Sequence, residues 1–371
     1  MFVNSTVFVL GAGASWHYGY PTGEGLVESV ISMADRFSSY CEHRLQSGQT
    51  VQIIPKYVEQ RIVGSKGGSG AKVGWQSVQK ECQVLCDRLK AVRPLLIDNF
   101  LAWNESLRPI GKLMIAAVIL ECEANWFRER ANQNRRLTSA NPPIADQRMN
   151  RDDWYRFIVH KLVYGCSESE NLFNNDVHFI TFNYDTSLEY HLYRALTSID
   201  LLRNTNVEKL LGDDRIIHVY GSVHRPDIGH IGVPRLFWCP PTDADAIDWT
   251  TAQKLGRPFA SPLNHADEFS PRKDFLDCCL GVSANLRTID PHDKDKDQEA
   301  LTRARQWIAD ARVVYILGYG FDQNNNRRIG IDPLLRSSSG GAGKSVMFTN
   351  FGDINTINRA YPVDAQAYNI W

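Results

Sequence analysis

An apolar segment, Val7-Phe8-Val9-Leu10, runs directly into Gly11-Ala12-Gly13-Ala14-Ser15, and this junction constrains the fold more than any other stretch of the chain. An uninterrupted apolar run of this length suits a strand buried inside a parallel sheet. A strand that ends in Gly-Ala-Gly leaves its backbone N–H groups uncovered by side chains, so a pyrophosphate can approach them at the mouth of the sheet. The junction therefore reads as the opening of a nucleotide-binding domain. It departs from the dehydrogenase fingerprint in two places. The third Gly position holds Trp16, and no acidic residue ends a second strand about 20 residues on, because the residues after Thr22 read as a helix. A tight turn in an ordinary α/β protein is the plainer alternative for these residues taken alone.

Composition narrows the function classes. With 371 residues the chain can bury a large core and divide into two units, since single cores stop growing at about 250 to 300 residues. The 41 basic and 42 acidic side chains give a net charge of -1, so no basic field exists to hold a phosphate backbone, and direct nucleic-acid binding is not expected. The longest apolar stretch, near Met114 to Leu120, is far shorter than the roughly 20 residues of a membrane span, and Met1-Phe2-Val3 lacks the charged start of a signal peptide. A cytoplasmic protein with no membrane contact is expected. None of the eight cysteines forms a C-x-x-C pair, so a structural zinc site is not expected and the thiols read as reduced, with Cys82 and Cys86 facing a core.

Beyond the first turn, Glu24 to Gln46, Gln76 to Phe100, Leu107 to Arg136 and Arg151 to Tyr164 carry apolar residues at three-to-four spacing, the pattern of amphipathic helices. Gly64 to Gly70 reads as a loop, and Asn141-Pro142-Pro143 as a break. Strand signals return at Val177 to Phe182, Arg215 to Tyr220, Val313 to Leu317 and Ser345 to Thr349, and a helix is expected from Thr186 to Thr197. Each strand stops at Gly, Asn or a polar turn. The fold class that follows is α/β, a Rossmann-like doubly wound parallel sheet with a large helical insertion after the first strand. Residues 1–23 and 166–371 would form the nucleotide-binding domain and residues 24–165 the insertion. The polar stretch 242–295 reads as short helices and loops. Ser338 to Ser345 ends in Gly-Lys-Ser but lacks the first Gly of an ATPase phosphate loop and precedes a strand, so it reads as a surface loop.

Two segments carry candidate chemistry. In Thr181-Phe182-Asn183-Tyr184-Asp185 a strand gives way to a helix, so Asn183 and Asp185 are expected to project beside the glycine turn, where they suit orienting a ribose or a carboxamide. Asp185 as a simple helix cap is the competing reading. In Ile216-Ile217-His218-Val219-Tyr220-Gly221-Ser222, strand alternation puts His218 and Tyr220 on one face, and a His at a strand end suits proton transfer near neutral pH. A core histidine bonded to a backbone carbonyl is the competing reading there. His224 reads as a surface loop residue.

Taken together and in order, Gly11 to Ser15, Thr181 to Asp185 with Leu188-Glu189, His218 to Ser222, Leu317-Gly318-Tyr319-Gly320-Phe321 and Asn350 resemble the sirtuin-like family, specifically its bacterial anti-phage branch that consumes NAD+. The resemblance covers residues 5–22 and 175–360. It implies that Gly11, Ala12, Gly13, Ala14 and Ser15 hold the NAD+ phosphates and that Asn183 and Asp185 flank the nicotinamide ribose. It counts Thr181, Tyr220, Gly221, Ser222 and Tyr319 among the NAD+-binding residues, with Gly318, Gly320 and Asn350 lining the adenosine half. Sirtuin deacylases follow the glycine turn with Asp-Phe-Arg and carry four zinc cysteines. This chain has Thr22-Gly23-Glu24 after Pro21 and no such cysteines, which argues against acyl-lysine chemistry. The family's catalytic His usually stands directly before Gly-Ser, where this chain has Tyr220, so the role is expected to pass to His218 two residues earlier.

The implied reaction is hydrolysis of the nicotinamide–ribose bond of NAD+ as substrate, without a metal, depleting NAD+ during anti-phage defence. Asn183, His218 and Asp185 would be the catalytic residues, with His218 as general base on the water or a ribose hydroxyl. A non-catalytic sensor of NAD+ or an ADP-ribose derivative is the alternative, and a protein deacylase a weaker one. Family members form homo-oligomers or pair with an ATPase or another defence protein, and the insertion is the expected surface for such a partner.

Overall fold

The computed structural model describes residues 1–48, 50, 54–62, 68–136, 154–212, 214–223, 273–288, 298–336 and 344–349, with the side chains of 124–136, 273–274 and 298 left out. Five strands, β1 (Thr6–Leu10), β2 (Val177–Thr181), β3 (Ile216–His218), β4 (Val313–Leu317) and β5 (Ser345–Phe348), form one sheet in the order β3-β2-β1-β4-β5, and every pairing is parallel. The main helices are α1 (Gly23–Gln46), α2 (Lys56–Glu59), α3 (Gly68–Val92), α4 (Ile97–Trp103), α5 (Arg108–Arg136), α6 (Trp154–Val163), α7 (Ser187–Thr197), α8 (Lys273–Ser283), α9 (Gln298–Asp310), α10 (Gln323–Ile329) and α11 (Asp332–Arg336). The chain is thus an α/β protein with a long helical excursion between β1 and β2.

All five residues of β1 are buried, which explains why the strand is apolar without alternation: helices cover both sides of the sheet. On one face Phe179, Phe8 and Tyr315 stand side by side across three strands, with ring centroids 5.3 Å and 4.8 Å apart, and Phe157 of α6 meets Tyr315 edge-on. On the other face Trp307 of α9 lies against His178. In α1 the stripe Leu26, Val30, Met33, Phe37 and Cys41 is buried, and in α3 the stripe Trp75, Val78, Cys82, Leu85 and Leu89. Each large apolar side chain so placed contributes roughly 1.5 to 3 kcal/mol. In α5 every residue from Leu113 to Leu120 is buried, so its all-round apolarity belongs to a central helix and not to a membrane span. Among the described residues no helix is long and apolar enough to cross a membrane. Seven cysteines are free thiols, and Cys239 lies outside the described residues.

Several expectations need correction. The pattern over Gln76 to Phe100 is two helices: Pro94 has no N–H to donate and disfavours helical geometry at Arg93, whose φ is 47°. Gly68 to Gly70, expected in a loop, open α3, while 64–67 lie outside the described residues. β2, β3 and β5 each stop short of their expected ends. One buried cluster spans the sheet and the helices on both sides of residue 165. Moreover, α8, from the second half of the chain, packs on α5 and α2, and its Asp277 carboxylate accepts from the Lys56 N–H at 2.7 Å. The Asn-Pro-Pro break and most of 242–295 lie outside the described residues, as do 338–343. Lys344 donates from Nζ to the carbonyls of Ile308 and Ala309 near the end of α9, a fastening role unlike that of a phosphate-loop lysine.

The strand order reverses between β1 and β4, and there the two turns touch. Gly11 N–H donates to Leu317 O at 3.0 Å and Gly13 N–H to Gly318 O at 2.9 Å. A Cβ on Gly11 would sit 2.5 Å from Gly318 O, and one on Gly318 only 2.2 Å from Ala14 N. Gly318 also has a φ of 57°, a conformation that costs other residues on the order of 1 to 3 kcal/mol. Gly318→Ala is therefore expected to lower stability by at least about 2 kcal/mol. Gly320→Ala, where a Cβ meets nothing within 4 Å, should leave stability within about 0.5 kcal/mol. Chemical denaturation of the two variants checks this, and equal losses would refute the packing account.

Candidate functional site

Parallel pairing of β1 with β2 aligns Leu10 with Thr181, so the chain leaving β2 passes directly beside the opening turn. The Thr181 hydroxyl accepts from the Asn183 N–H at 3.0 Å and turns the chain towards that neighbour. Asn183 then donates from Nδ2 to Ser15 Oγ at 3.2 Å. Its Oδ1 is fully buried, and among the described residues no group donates to it. Asp185, also buried, accepts at Oδ1 from the N–H and the hydroxyl of Ser187 and is reached by the Ser15 hydroxyl. Burial raises its carboxyl above the ordinary range, and the serine hydrogen bonds pull it back in part. Asp185 holds the first turn of α7 and also lies beside the opening turn. Ser15, Asn183 and Asp185 thus converge at the carboxyl edge of the sheet.

The pair at the end of β3 is arranged differently from the expectation. β3 ends at His218, and Tyr220 lies in a turn closed by the Gly221 N–H on His218 O at 3.2 Å. Alternation therefore no longer governs Tyr220, and the two side chains meet different helices. His218 is 3.0 Å from Asn183 O through Nδ1 and 2.7 Å from Glu189 Oε1 of α7 through Nε2. Burial pulls the imidazole pKa down, but Glu189, the Asn183 carbonyl and Asp185 outweigh it and the net shift is upward. Tyr220 instead donates its hydroxyl to Asn325 Oδ1 of α10, lies near Phe182 and Tyr184, and has the Arg328 guanidinium 5.8 Å from its ring centre. Gly221 has a φ of 67° and sits against the Asn285 carbonyl, where no Cβ fits. Ser222 follows it, half-buried.

The glycine turn itself is also arranged otherwise. Besides Gly11 and Gly13, Ala14 donates to Gly11 O at 2.9 Å and Ser15 to Gly13 O, so these amides are engaged within the protein. Two short 3-10 turns follow the strand, and α1, the next helix in the chain, begins only at Gly23. What the small residues leave open is space, since Ala12 and Gly13 are half-exposed. In the adjoining turn after β4, Tyr319 packs its ring 5.1 Å from Phe182 and 5.5 Å from Phe321, and Gly320 is exposed. Asn350 and His224 lie outside the described residues.

Sequence reasoning missed three groups here, Asp98, Asn325 and Arg328, and gave no role to Glu189, which it quoted only as part of a motif. Tyr184 donates its hydroxyl to Asp98 of α4, a carboxylate supplied by the insertion. Burial pushes Asp98 up to about 6, opposed by the Tyr184 hydrogen bond and the Arg328 charge. A signal existed, since Asp98 shares the helical face of buried Leu101, where a carboxylate is out of place unless it is partnered. Glu189 likewise lies three residues before buried Leu192.

No protein-family model, curated protein or solved structure matches this chain. Among the described residues no cluster of three or more His, Cys, Asp or Glu is placed to hold a metal ion.

A folded-state pKa of about 6 for Asp98 means that its stability contribution is fully present below the unfolded value near 3.8 and is lost as pH rises to 6. At about 1.4 kcal/mol per pKa unit the loss is on the order of 3 kcal/mol. Asp98→Asn should lack this loss, so its stability relative to wild type should improve between pH 4 and pH 7. Denaturation curves at both pH values test this, and a parallel pH response in the two proteins would refute it.

Proposed function

We propose that the chain is an NAD+ hydrolase of the sirtuin-like kind, built on a Rossmann-like doubly wound sheet. The observation that carries the reading is the buried acceptor Asn183 Oδ1 at the carboxyl edge of a parallel sheet, next to a turn without side-chain bulk and beside the point where strand order reverses. A buried acceptor with no donor costs about 1 to 3 kcal/mol, so a ligand hydroxyl or a water that donates to it is favoured. The crevice beside a topological switch point is where open α/β sheets take nucleotides, and the order β3-β2-β1-β4-β5 is that of the dinucleotide-binding sheets.

In this reading the pyrophosphate lies over Ala12 and Gly13, admitted by the lack of side chains and not by a row of waiting amides. Asn183 Oδ1 accepts from the attacking water or a ribose hydroxyl and fixes its position. As the bond from C1′ to the nicotinamide nitrogen breaks, its electron pair leaves with neutral nicotinamide and positive charge grows on the ribose, which the nearby Asp185 carboxylate offsets when ionised. The water oxygen bonds to C1′ and its proton goes to solvent, giving ADP-ribose. Consumption of NAD+ in anti-phage defence, and regulation by self-assembly or by a partner such as an ATPase, follow from the sequence resemblance.

One observation favours a sensor of NAD+ or an ADP-ribose derivative as the second reading: Tyr220, where the family carries its catalytic His, is buried and tied to Asn325. Incubating purified protein with NAD+ and measuring free nicotinamide separates the two. Hydrolysis is expected, and Asn183→Ala is expected to lower it about 100-fold or more through loss of the positioned nucleophile. NAD+ binding by calorimetry with no nicotinamide released under any condition would replace the hydrolase with the sensor.

A further inference from the structure

We propose that His218 and Glu189 form an ion-paired strut that holds the Asn183 peptide in place, so that His218 serves the cleft as a positioning residue and not as its base. The proposal deepens the hydrolase reading, but its geometry stands apart from it. A carbonyl oxygen only accepts, so His218 Nδ1, 3.0 Å from Asn183 O, carries a proton. With Glu189 ionised, a neutral ring would then direct the Nε2 lone pair at a carboxylate oxygen 2.7 Å away, lone pair against lone pair. A ring protonated on both nitrogens resolves this, with Nε2 donating to Glu189. The two side chains are 13% and 12% exposed, so the pair is largely shielded from solvent and screening is weak. A general base needs a lone pair aimed at the reacting water, and neither ring nitrogen has one to offer.

The strut completes a set of restraints on one residue. The Asn183 N–H is held by Thr181 Oγ1, its carbonyl by His218 and its Nδ2 by Ser15. The one polar atom of Asn183 left over is Oδ1, the atom assigned to the nucleophile. Glu189 reaches the Asn183 peptide through His218, and its charge also bears on Asp185. Among the described residues the charged groups facing His218 are Glu189 of α7 and Asp185 of the β2–α7 loop. Both favour the imidazolium, whereas burial disfavours it.

The two roles predict opposite pH limbs. A base gains activity as pH rises through the His218 pKa. A strut holds its activity below that pKa and loses it above, and Glu189→Gln moves the falling limb to lower pH. Glu189→Ala is expected to reduce nicotinamide release by about 10-fold to 100-fold, with the loss in kcat and not in KM, because a displaced Asn183 spoils alignment. Glu189→Gln, which keeps an oxygen acceptor, should recover part of the rate below the limb. Heteronuclear NMR of the full wild-type chain with labelled histidine, assigned with His218→Gln, supplies a readout independent of turnover. Both ring nitrogens should be protonated at neutral pH, with a titration midpoint above that of an ordinary histidine. A ring carrying one proton at neutral pH, or activity rising through the His218 midpoint, overturns the strut. If wild type releases no nicotinamide at any pH, the hydrolase reading fails and the NMR titration alone decides the strut.

Discussion

Two turns packed backbone against backbone set the geometry of this protein. At the end of β1 and the end of β4 the peptide groups of Gly11, Gly13 and Gly318 approach so closely that a methyl group on any of them would collide with main-chain atoms. The contact lies where the strand order reverses, the position at which neighbouring strands send their connections to opposite sides and leave a crevice. Everything assigned to the cleft depends on it. Ser15 follows from the first turn, the Tyr319 and Phe321 rings from the second, and the β1–β2 register then brings Asn183 and Asp185 alongside.

Around that contact the protein concentrates buried polar groups. Each would be costly alone, by about 1 to 3 kcal/mol for an unsatisfied neutral group and more for a charge. Here they are linked in pairs that join distant parts of the chain: Asp98 with Tyr184, Glu189 with His218, Asn325 with Tyr220, Ser15 with Asn183. Asp98 comes from α4 and Tyr184 from the loop after β2, so the helical insertion is bonded directly to the segment that carries Asn183 and Asp185. Tyr20, in the segment before α1, is held in its neutral form by burial and by the charges of Glu123 and Asp185. A change in the packing of the insertion therefore bears on the loop that carries Asn183, Tyr184 and Asp185.

The glycines illustrate how far a motif can be read. Gly11-Ala12-Gly13 promised close approach to the backbone, and close approach is what the structure uses, but the main approaching partner is the turn after β4. Small residues tell that something comes near; they do not tell what. His218 and Tyr220 show a similar limit. Alternation along a strand relates them only while the strand continues, and β3 ends at His218, so the next residues turn towards α10. Of the two readings open for His218, its bond to the Asn183 carbonyl matches the core histidine, and the Glu189 carboxylate at the other nitrogen was visible in neither.

What the sequence determined by itself was local and periodic. The five strands, the apolar stripes of α1 and α3, the α/β class and the placement of Asn183 and Asp185 at a strand end all follow from side-chain spacing within one element, because burial of one face imposes its period on the residues that form it. Tertiary structure alone decided the partners. Whether Asp98 meets Tyr184, or His218 meets Glu189, depends on where α4 and α7 come to rest on the sheet, and those positions are set by the packing of elements that lie 86 and 29 residues apart in the paired groups. No period in the chain encodes such a distance, so the meeting of strand ends was legible in the sequence and the hydrogen-bonded wiring between them was not.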